Sequence, residues 1–153
     1  MKKSLIISAL VTAVLAAGLT GVVQGQAEKS KKADKSKSKE VVYVSSDSAT
    51  YTEKRPGVSM TVLWGNPDKG AHGTFTKFAP GCDNGMHTHT NDVWAVVIKG
   101  AYLYKDEAGD KRVGPGEFIR IPGGHKHWSG GDKTEGALFY QEGSGKFDLL
   151  PAK

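Results

Sequence analysis

Four of the five histidines in this sequence fall in two close pairs, and imidazole is a side chain that binds transition metals well. The first pair is His87 and His89, and the second is His125 and His127. Residues two apart in a strand point to the same face, so each pair can present two imidazoles side by side. With a third ligand from another strand, such a pair would close a facial set on a divalent ion such as Fe, Zn, Mn, Ni or Cu.

The one cysteine does not favour nucleophilic catalysis. Cys82 lies in a Gly-Cys-Asp-Asn-Gly turn, where the neighbouring Asp83 disfavours the thiolate. A single cysteine excludes an intramolecular disulfide, so we expect the thiol to be buried or to pair between chains. The sequence also offers no plausible serine or cysteine triad, and the histidine pairs remain the main candidates for chemistry.

The elements that would position these histidines are short strands. The chain has 153 residues, with 20 glycines, six prolines and only 8% aromatic residues. Glycine and proline punctuate the sequence with turns, and no apolar pattern of helical period lasts for three turns. The apolar or alternating runs are 41–44, 60–64, 73–78, 93–99, 101–104, 118–121 and 137–141. We therefore predict an all-β sandwich or barrel of seven or more strands.

Two of these runs predict a hairpin. Residues 93–98 and 101–104 are separated only by Lys99 and Gly100, the spacing of a tight β-turn. We expect both strands to lie in the core of one sheet. A domain of about 110 residues is long enough to bury a single core without disulfides.

The spacing around the first histidine pair is similar to the first motif of the cupin superfamily. That motif reads G, five residues, HxH, three or four residues, E, six residues, G. In this chain the corresponding residues are Gly81, His87 and His89, Val93, and Gly100. Every interval agrees, and only the glutamate position differs.

The second histidine pair resembles the second cupin motif, which reads G, five residues, PxG, two residues, H, three residues, N. The corresponding residues are Gly116, Pro122 to Gly124, His127 and Gly131. The two motifs together cover about 50 residues, and the resemblance implies a cupin-type double-stranded β-helix, or jelly-roll barrel. It also implies that two chains pair through an edge strand as a homodimer.

The resemblance implies that His87, His89 and His127 bind a divalent transition metal. The usual glutamate ligand is replaced by Val93, which leaves three neutral imidazoles. Asp92 is adjacent, but strand alternation sends it to the opposite face unless a bulge intervenes.

Several further residues are candidates for the site. His125 shares a face with His127, so it is either a fourth ligand, a base beside the metal or a turn residue at the barrel mouth. Tyr140 and Gln141 follow the second motif on a later strand, where the amide could orient a ligand. His72 is most simply a polar residue at the start of a strand.

These residues support two main functions. Three imidazoles leave up to three positions on Fe(II) for a bidentate substrate and dioxygen, which favours a dioxygenase-type oxidoreductase acting on a small organic molecule. In that scheme the catalytic proton carriers are His125 or Tyr140. The alternative is a non-catalytic module that binds a metal or a small ligand. A sugar isomerase or epimerase also occurs in the superfamily, but its phosphorylated substrates are scarce outside the cytoplasm.

The N-terminal residues predict export. Residues 1–27 combine two lysines, an apolar stretch and a small-residue cleavage site, as in a signal peptide, and a retained membrane anchor is the alternative. Residues 28–40 are rich in lysine and serine and predict a flexible linker, with the cupin domain at 41–153. We expect a periplasmic or extracellular protein without stable membrane insertion after cleavage.

The positive charge of the chain does not indicate nucleic-acid binding. The formal net charge is +5, but residues 41–153 hold 13 basic and 13 acidic side chains. The excess lies in the first 40 residues, so the domain has no basic stripe for phosphates. The lysine-rich linker is either a soluble spacer or a contact for anionic lipid or cell-wall polymer.

Overall fold

The computed structural model describes residues 41–153, and the predicted signal peptide and linker lie outside this part of the chain. The described residues form eleven β-strands and contain no helix that could span a membrane. The strands are β1 (Thr52–Arg55), β2 (Val58–Gly65), β3 (His72–Phe78), β4 (Asp83–Thr88), β5 (Val93–Gly100), β6 (Tyr102–Asp106), β7 (Gly109–Val113), β8 (Phe118–Ile121), β9 (His127–Gly131), β10 (Ala137–Gly143) and β11 (Leu150–Pro151).

The strands form two antiparallel sheets. One has six strands in the order β1-β2-β3-β10-β5-β8, and the other has five in the order β11-β4-β9-β6-β7. This arrangement confirms the predicted all-β jelly-roll barrel. The sheet edges are β1 and β8 in the first sheet and β11 and β7 in the second, and the homodimer through an edge strand stays a prediction.

The core lies between the inner faces of the two sheets. Phe139 is fully buried on β10, where its ring meets the Phe78 ring edge-on at 4.9 Å. Tyr102 of the opposite sheet stacks on Phe78 at a ring distance of 5.5 Å. Side chains of both sheets thus interdigitate in one apolar cluster, which holds the strands that carry the histidines in place.

The predicted hairpin at Lys99 and Gly100 is wrong, because β5 and β6 do not pair and lie in different sheets. Strand β5 pairs with β8 and β10 in the six-stranded sheet, whereas β6 pairs with β7 and β9 in the other sheet. Gly100 has a φ of 68°, and a Cβ there would lie 2.3 Å from the carbonyl oxygen of Gly136. The chain therefore turns a corner at this glycine and passes from one sheet to the other.

Six of the seven predicted strands are present, and the exception is 41–44. Val41, Val42 and Tyr43 are highly exposed and belong to no strand. An apolar run forms a strand only where it can pair with a neighbouring strand and pack on a core. Residues 41–44 do neither. Among the other five strands, β4 and β9 carry the histidine pairs, which the sequence analysis placed on strands without listing them as apolar runs. The prediction missed β1, β7 and β11, which are short or polar.

Candidate metal centre

Three histidines from the two motifs meet inside the barrel. His87 on β4 and His127 on β9 are directly paired across the two strands, and His89 follows just after the end of β4. One ring nitrogen of each lies within 4.8 Å of the others, and all three side chains are buried. The ring centres of His87 and His127 are 4.2 Å apart. The structure thus brings together the three residues that the sequence proposed as ligands.

Each of these imidazoles is oriented by a backbone carbonyl. Nδ1 of His87 donates to the Gly85 oxygen at 2.8 Å, and Nδ1 of His127 donates to the His125 oxygen at 3.0 Å. Nδ1 of His89 donates to the Asp148 oxygen at 2.5 Å. A carbonyl oxygen only accepts, so all three Nδ1 atoms carry the proton and all three Nε2 atoms keep a free lone pair. This is the tautomer and the outer-sphere contact of metal-binding histidines.

The surroundings of the three rings keep them neutral. The pKa of His87 is lowered to about 4, mainly by burial and in smaller part by the neighbouring His127 and His89. Burial likewise lowers the pKa of His89 and of His127. A neutral imidazole is the form that binds a metal.

One of the three Nε2 atoms is fully buried as well as unpartnered. Nε2 of His127 is buried and makes no hydrogen bond with any described residue. An unpaired polar atom in a protein interior costs about 1–3 kcal/mol, and such atoms call for an explanation. A metal ion at the meeting point of the three Nε2 atoms would satisfy this nitrogen, so the residues present fit a bound ion.

A β-bulge turns two side chains of β4 into the barrel. Asn84 and His87 are three residues apart, and simple alternation would place them on opposite faces. The register shifts between Asp83 and Met86, and Gly85 within this shift has a φ of 67°. Both Asn84 and His87 are consequently buried on the inner face.

The C-terminal segment completes the cluster. The backbone carbonyl oxygen of Asp148 accepts the hydrogen bond from Nδ1 of His89. The Asp148 carboxylate accepts hydrogen bonds from the backbone N–H and the hydroxyl of Thr90. The ring of Phe147 lies 5.1 Å from the His89 ring. Strand β11 then pairs with β4 at Thr88 and His87. This segment therefore fixes the third ligand from outside the two motifs.

The structure shows the surroundings of Val93 and Gly131, the two residues that differ from the cupin motifs. Val93 is buried on the inner face of β5 and faces the same cavity as the histidines, so no carboxylate occupies this position. Asp92 points away, where its carboxylate accepts from Arg120 at 2.7 Å and from the backbone N–H of Gly123 at 2.9 Å. At Gly131, a Cβ would lie 2.7 Å from the carbonyl oxygen of Ala79, so a glycine is required.

The structure does not place the two predicted proton carriers at the cluster. The side chain of His125 is 43% exposed and binds the Asp106 carboxylate at 3.0 Å. Tyr140 points outward, where it donates to Glu142 and accepts from Trp64. Neither residue lines the cavity. Only the backbone oxygen of His125 contributes, through its contact with the His127 ring.

Two other predictions concern His72 and Cys82. His72 begins β3, as expected, and its Nδ1 donates to the Gly70 oxygen at 3.0 Å. Cys82 is partly buried, and its pKa is raised mainly by burial, with Asp83 adding to the rise. Both placements agree with structural rather than catalytic roles.

The cluster opens into a cavity of about 310 Å³ between the sheets. Its walls are mainly apolar, with a few polar side chains that converge on it, as in small-molecule sites. The residues that line it are Lys54, Arg55, Val58, Met60, Pro67, Asp68, Thr76, Phe78, Asn84, His87, His89, Val93, Tyr102, Ser129, Gln141, Phe147 and Leu149.

Sequence reasoning anticipated only part of this cavity. Gln141 faces it, as the sequence suggested, and its Nε2 is the second buried atom without a partner among the described residues. Arg55 and Asn84 were missed, although Nη2 of Arg55 donates to the Asn84 oxygen at 2.5 Å. Arg55 ends a short polar strand, and Asn84 is turned inward by the bulge, so no periodic signal marked either residue.

Comparisons with known proteins agree with this fold and site. The sequence model of the ChrR cupin-like domain family matches residues 39–145. No curated protein matches the chain significantly in sequence. The chain therefore belongs to the ChrR cupin-like domain family, within the cupin superfamily.

Solved structures of low sequence identity share the fold. The polyketide cyclase RemF from Streptomyces resistomycificus is 20% identical with a TM-score of 0.62, over 74% of this chain and 87% of that one. KdgF from Halomonas sp. is also 20% identical with a TM-score of 0.53, over 64% and 90%. An RmlC-like cupin from Shewanella frigidimarina is 15% identical with a TM-score of 0.54, over 69% and 92%.

Proposed function

We propose that this chain is a metal-dependent cupin that holds a divalent transition metal ion through His87, His89 and His127. The observation that carries the proposal is the convergence of three Nε2 lone pairs, each set by a backbone acceptor on the opposite ring nitrogen. The unpartnered Nε2 of His127 supports it independently. Imidazole nitrogens suit Zn, Fe, Cu and Ni, and the donor set does not choose among them.

The reaction class we propose is oxidation of a small organic molecule by dioxygen. When bound, an Fe(II) ion with three imidazole ligands would supply open coordination positions for a substrate and dioxygen. The protein contributes a cavity of about 310 Å³, near the lower end of the range of about 300–1,000 Å³ for small-molecule sites. Apolar side chains such as Phe147 and Leu149 line part of it.

A non-catalytic binding module is the second candidate, and one observation favours it. His125 and Tyr140, the two expected proton carriers, lie outside the cavity. Among its lining residues the phenol is Tyr102, whose pKa is raised to about 12 by burial. A phenol with this pKa holds its proton firmly, which suits binding better than general-base chemistry.

Oxygen consumption separates the two candidates. The full-length chain is loaded anaerobically with Fe(II) and tested in an oxygen electrode against small β-diketones, thiols and catechols. For an oxidase we expect uptake that depends on both iron and the organic compound. Iron bound at one equivalent without any uptake would assign the chain to the binding module. Failure to bind Fe, Zn, Mn, Ni or Cu would refute the metal centre.

A matched pair of histidine variants serves as the control. His87→Ala removes one Nε2 from the cluster, and we expect it to abolish iron-dependent uptake and to weaken metal binding strongly. His125→Ala removes an exposed imidazole but keeps the backbone oxygen that orients His127. This variant should behave like the wild type in both measurements, and equal loss in the two variants would count against the proposed ligand set.

A further inference from the structure

The cavity contains a positive charge without a carboxylate partner. Among the described residues, Arg112 pairs with Asp132 and Glu135, and Arg120 pairs with Asp92, but no carboxylate lies within ion-pair distance of Arg55. Arg55 is half-buried and lines the cavity. Charges removed from water are normally paired, so this guanidinium lacks the partner that its position calls for.

A neutral side chain holds Arg55 in this position. Nη2 of Arg55 donates to Oδ1 of Asn84, and Nδ2 of Asn84 donates to the hydroxyl of Ser129 at 2.9 Å. Both Asn84 and Ser129 are buried. The amide fixes the guanidinium by a hydrogen bond but leaves its charge uncompensated inside the cavity.

A second donor faces the same cavity. Gln141 on β10 is only 6% exposed, and its Nε2 makes no hydrogen bond with the described residues. The amide nitrogen is a donor only, so it calls for an acceptor oxygen from whatever enters the cavity. This observation concerns a different strand and a different side chain from Arg55, and it also points to a ligand with oxygen acceptors.

The charged groups around the cavity leave it positive. Lys54 and Arg55 contribute two positive charges, and Asp68 contributes one negative charge. Imidazole ligands bring no negative charge to the cluster, and Val93 replaces the carboxylate that cupins commonly bring to the metal. A divalent ion at the cluster would raise this positive charge further, because the carboxylates nearest the cluster, Asp148 beside His89 and Asp106 near His127, do not line the cavity.

We propose that the cavity selects a small organic carboxylate, with Arg55 as its counter-charge and Gln141 as a hydrogen-bond donor to one of its oxygens. The negative charge of the ligand then offsets the positive charges of the ion and of the guanidinium. The neutral Val93 cannot do this. The apolar wall accommodates the remainder of the ligand. This inference rests on the proposed metal centre and names the chemical class of molecule that binds beside it.

The first test compares acids with their neutral amides. The full-length chain carrying one equivalent of Zn²⁺, which is redox-inert, is titrated by calorimetry with benzoate and isobutyrate and with benzamide and isobutyramide. We expect at least one carboxylate to bind about tenfold or more tightly than its amide, the factor equivalent to about 1.4 kcal/mol. Equal affinities for both acids and their amides would overturn the proposal.

Variants of Arg55 assign the effect to the guanidinium. Arg55→Met should reduce carboxylate affinity about tenfold and leave zinc affinity at or above the wild-type value, because a repelling charge is removed. Arg55→Lys keeps the charge and should retain most of the preference for acid over amide. Arg112→Met removes a surface guanidinium as a matched control and should change neither affinity. Carboxylate binding that is unchanged in Arg55→Met would refute the assignment.

Variants at Gln141 and Val93 add a negative charge to the cavity, whereas Arg55→Met removes a positive one. Gln141→Glu preserves the shape of the side chain but places a negative charge in the cavity, so carboxylate binding should be lost while zinc stays bound. Val93→Glu offers a protein carboxylate and should strengthen zinc binding while it weakens carboxylate binding. Carboxylate affinity that rises in either variant would contradict the proposal.

The two proposals fail in different ways. If the chain does not bind Zn²⁺, the proposed metal centre is wrong whatever the carboxylates do. If zinc binds and is lost in His87→Ala, but neither carboxylate is preferred over its amide, the metal centre stands and the carboxylate inference fails alone.

Discussion

The three metal-ligand candidates are oriented in two different ways. His87 and His127 each donate Nδ1 to the carbonyl of a residue two positions earlier, Gly85 or His125. His89 donates to Asp148, which is 59 residues away in sequence. The local acceptors form whenever β4 and β9 form, whereas the remote acceptor requires the C-terminal segment to fold back over the end of the barrel. Two of the three ligands, His87 and His127, are therefore oriented by their own strand regions, whereas His89 depends on the separate C-terminal segment.

The remote acceptor also lies beyond the family match. The match to the ChrR cupin-like domain ends at residue 145, and Asp148 follows it. Hydrogen bonds hold this segment in place. The Asp148 carboxylate accepts from Thr90, and the backbone N–H of Phe147 donates to the Pro67 oxygen. Asn91 also donates to the Lys146 oxygen, and the two-residue β11 pairs with β4. No residue of the segment belongs to the buried apolar core, so we expect it to be the most vulnerable part of the centre.

Acidification tests a property that His87, His89 and His127 share, namely a pKa lowered by burial. The pKa of His87 is lowered to about 4 in the fold from an unfolded value of 6.5, and those of His89 and His127 are lowered too. Between these values the unfolded chain binds more protons, so the free energy of unfolding of the metal-free protein should fall as the pH falls from 6.5 to 4. The loss from His87 alone is on the order of 3 kcal/mol.

The measurement is urea denaturation in the presence of a chelator at several pH values in this window. The carboxyl groups with lowered pKa, such as Asp106, add a loss of the same sign near pH 4, because their unfolded pKa is 3.8. His87→Gln should therefore make the dependence shallower without abolishing it, since His89 and His127 still contribute. A free energy of unfolding that is constant from pH 6.5 to 4 would show that the rings are not kept neutral by burial.

Truncation distinguishes the remote acceptor from the local ones. Removal of residues 146–153 takes away the acceptor of His89 but leaves those of His87 and His127. We expect zinc affinity to fall about tenfold to a hundredfold, the typical cost of losing an outer-sphere partner. Calorimetric titration of the truncated and full-length chains with Zn²⁺ measures this change.

A milder variant checks that the effect comes from the acceptor. Asp148→Ala keeps the backbone carbonyl but removes the carboxylate that anchors it to Thr90. Its zinc affinity should lie between those of the full-length and truncated chains. If truncation left zinc affinity unchanged, His89 would not depend on the C-terminal segment.

A substitution at Gly85 probes the local acceptor and should have the smallest effect. Gly85 has a φ of 67° and open space around a hypothetical Cβ, so Gly85→Ala costs only backbone strain of about 1 kcal/mol. Gly70→Ala is the matched control, because Gly70 also has open space but no positive φ. We expect lower stability only for Gly85→Ala in urea denaturation, with little change in zinc affinity. A large loss of zinc affinity would mean that the local acceptor is as fragile as the remote one.

The sequence predicted the parts of the centre that follow from local periodicity. Alternation along a strand places His87 and His89 on one face, and the spacing of the two motifs predicts the approach of His127. The same alternation correctly turned Asp92 away from the site, where it pairs with Arg120. These features depend on residues that are close in sequence or on a fold with characteristic motif intervals.

The remaining features depend on contacts that no local pattern encodes. The Asp148 acceptor and the inward position of Arg55 arise from the packing of chain ends against the barrel. The separation of β5 and β6 into different sheets depends on the close approach of Gly136 to Gly100. His125 precedes β9, so strand alternation does not apply to it, and Tyr140 is adjacent to the inward-facing Gln141 on β10 and lies on the other face. The carboxylates of Asp106 and Glu142 bind their polar atoms outside the cavity.

X-ray absorption spectroscopy of the full-length chain with one equivalent of Zn²⁺ tests the three-histidine centre directly. We expect three imidazole nitrogens at about 2.0–2.1 Å and no sulfur ligand. Each of the variants His87→Ala, His89→Ala and His127→Ala should lose one imidazole from this shell or lose the ion. A shell with a sulfur at about 2.3 Å, or one with fewer than three imidazoles in the unmodified chain, would contradict the proposed centre.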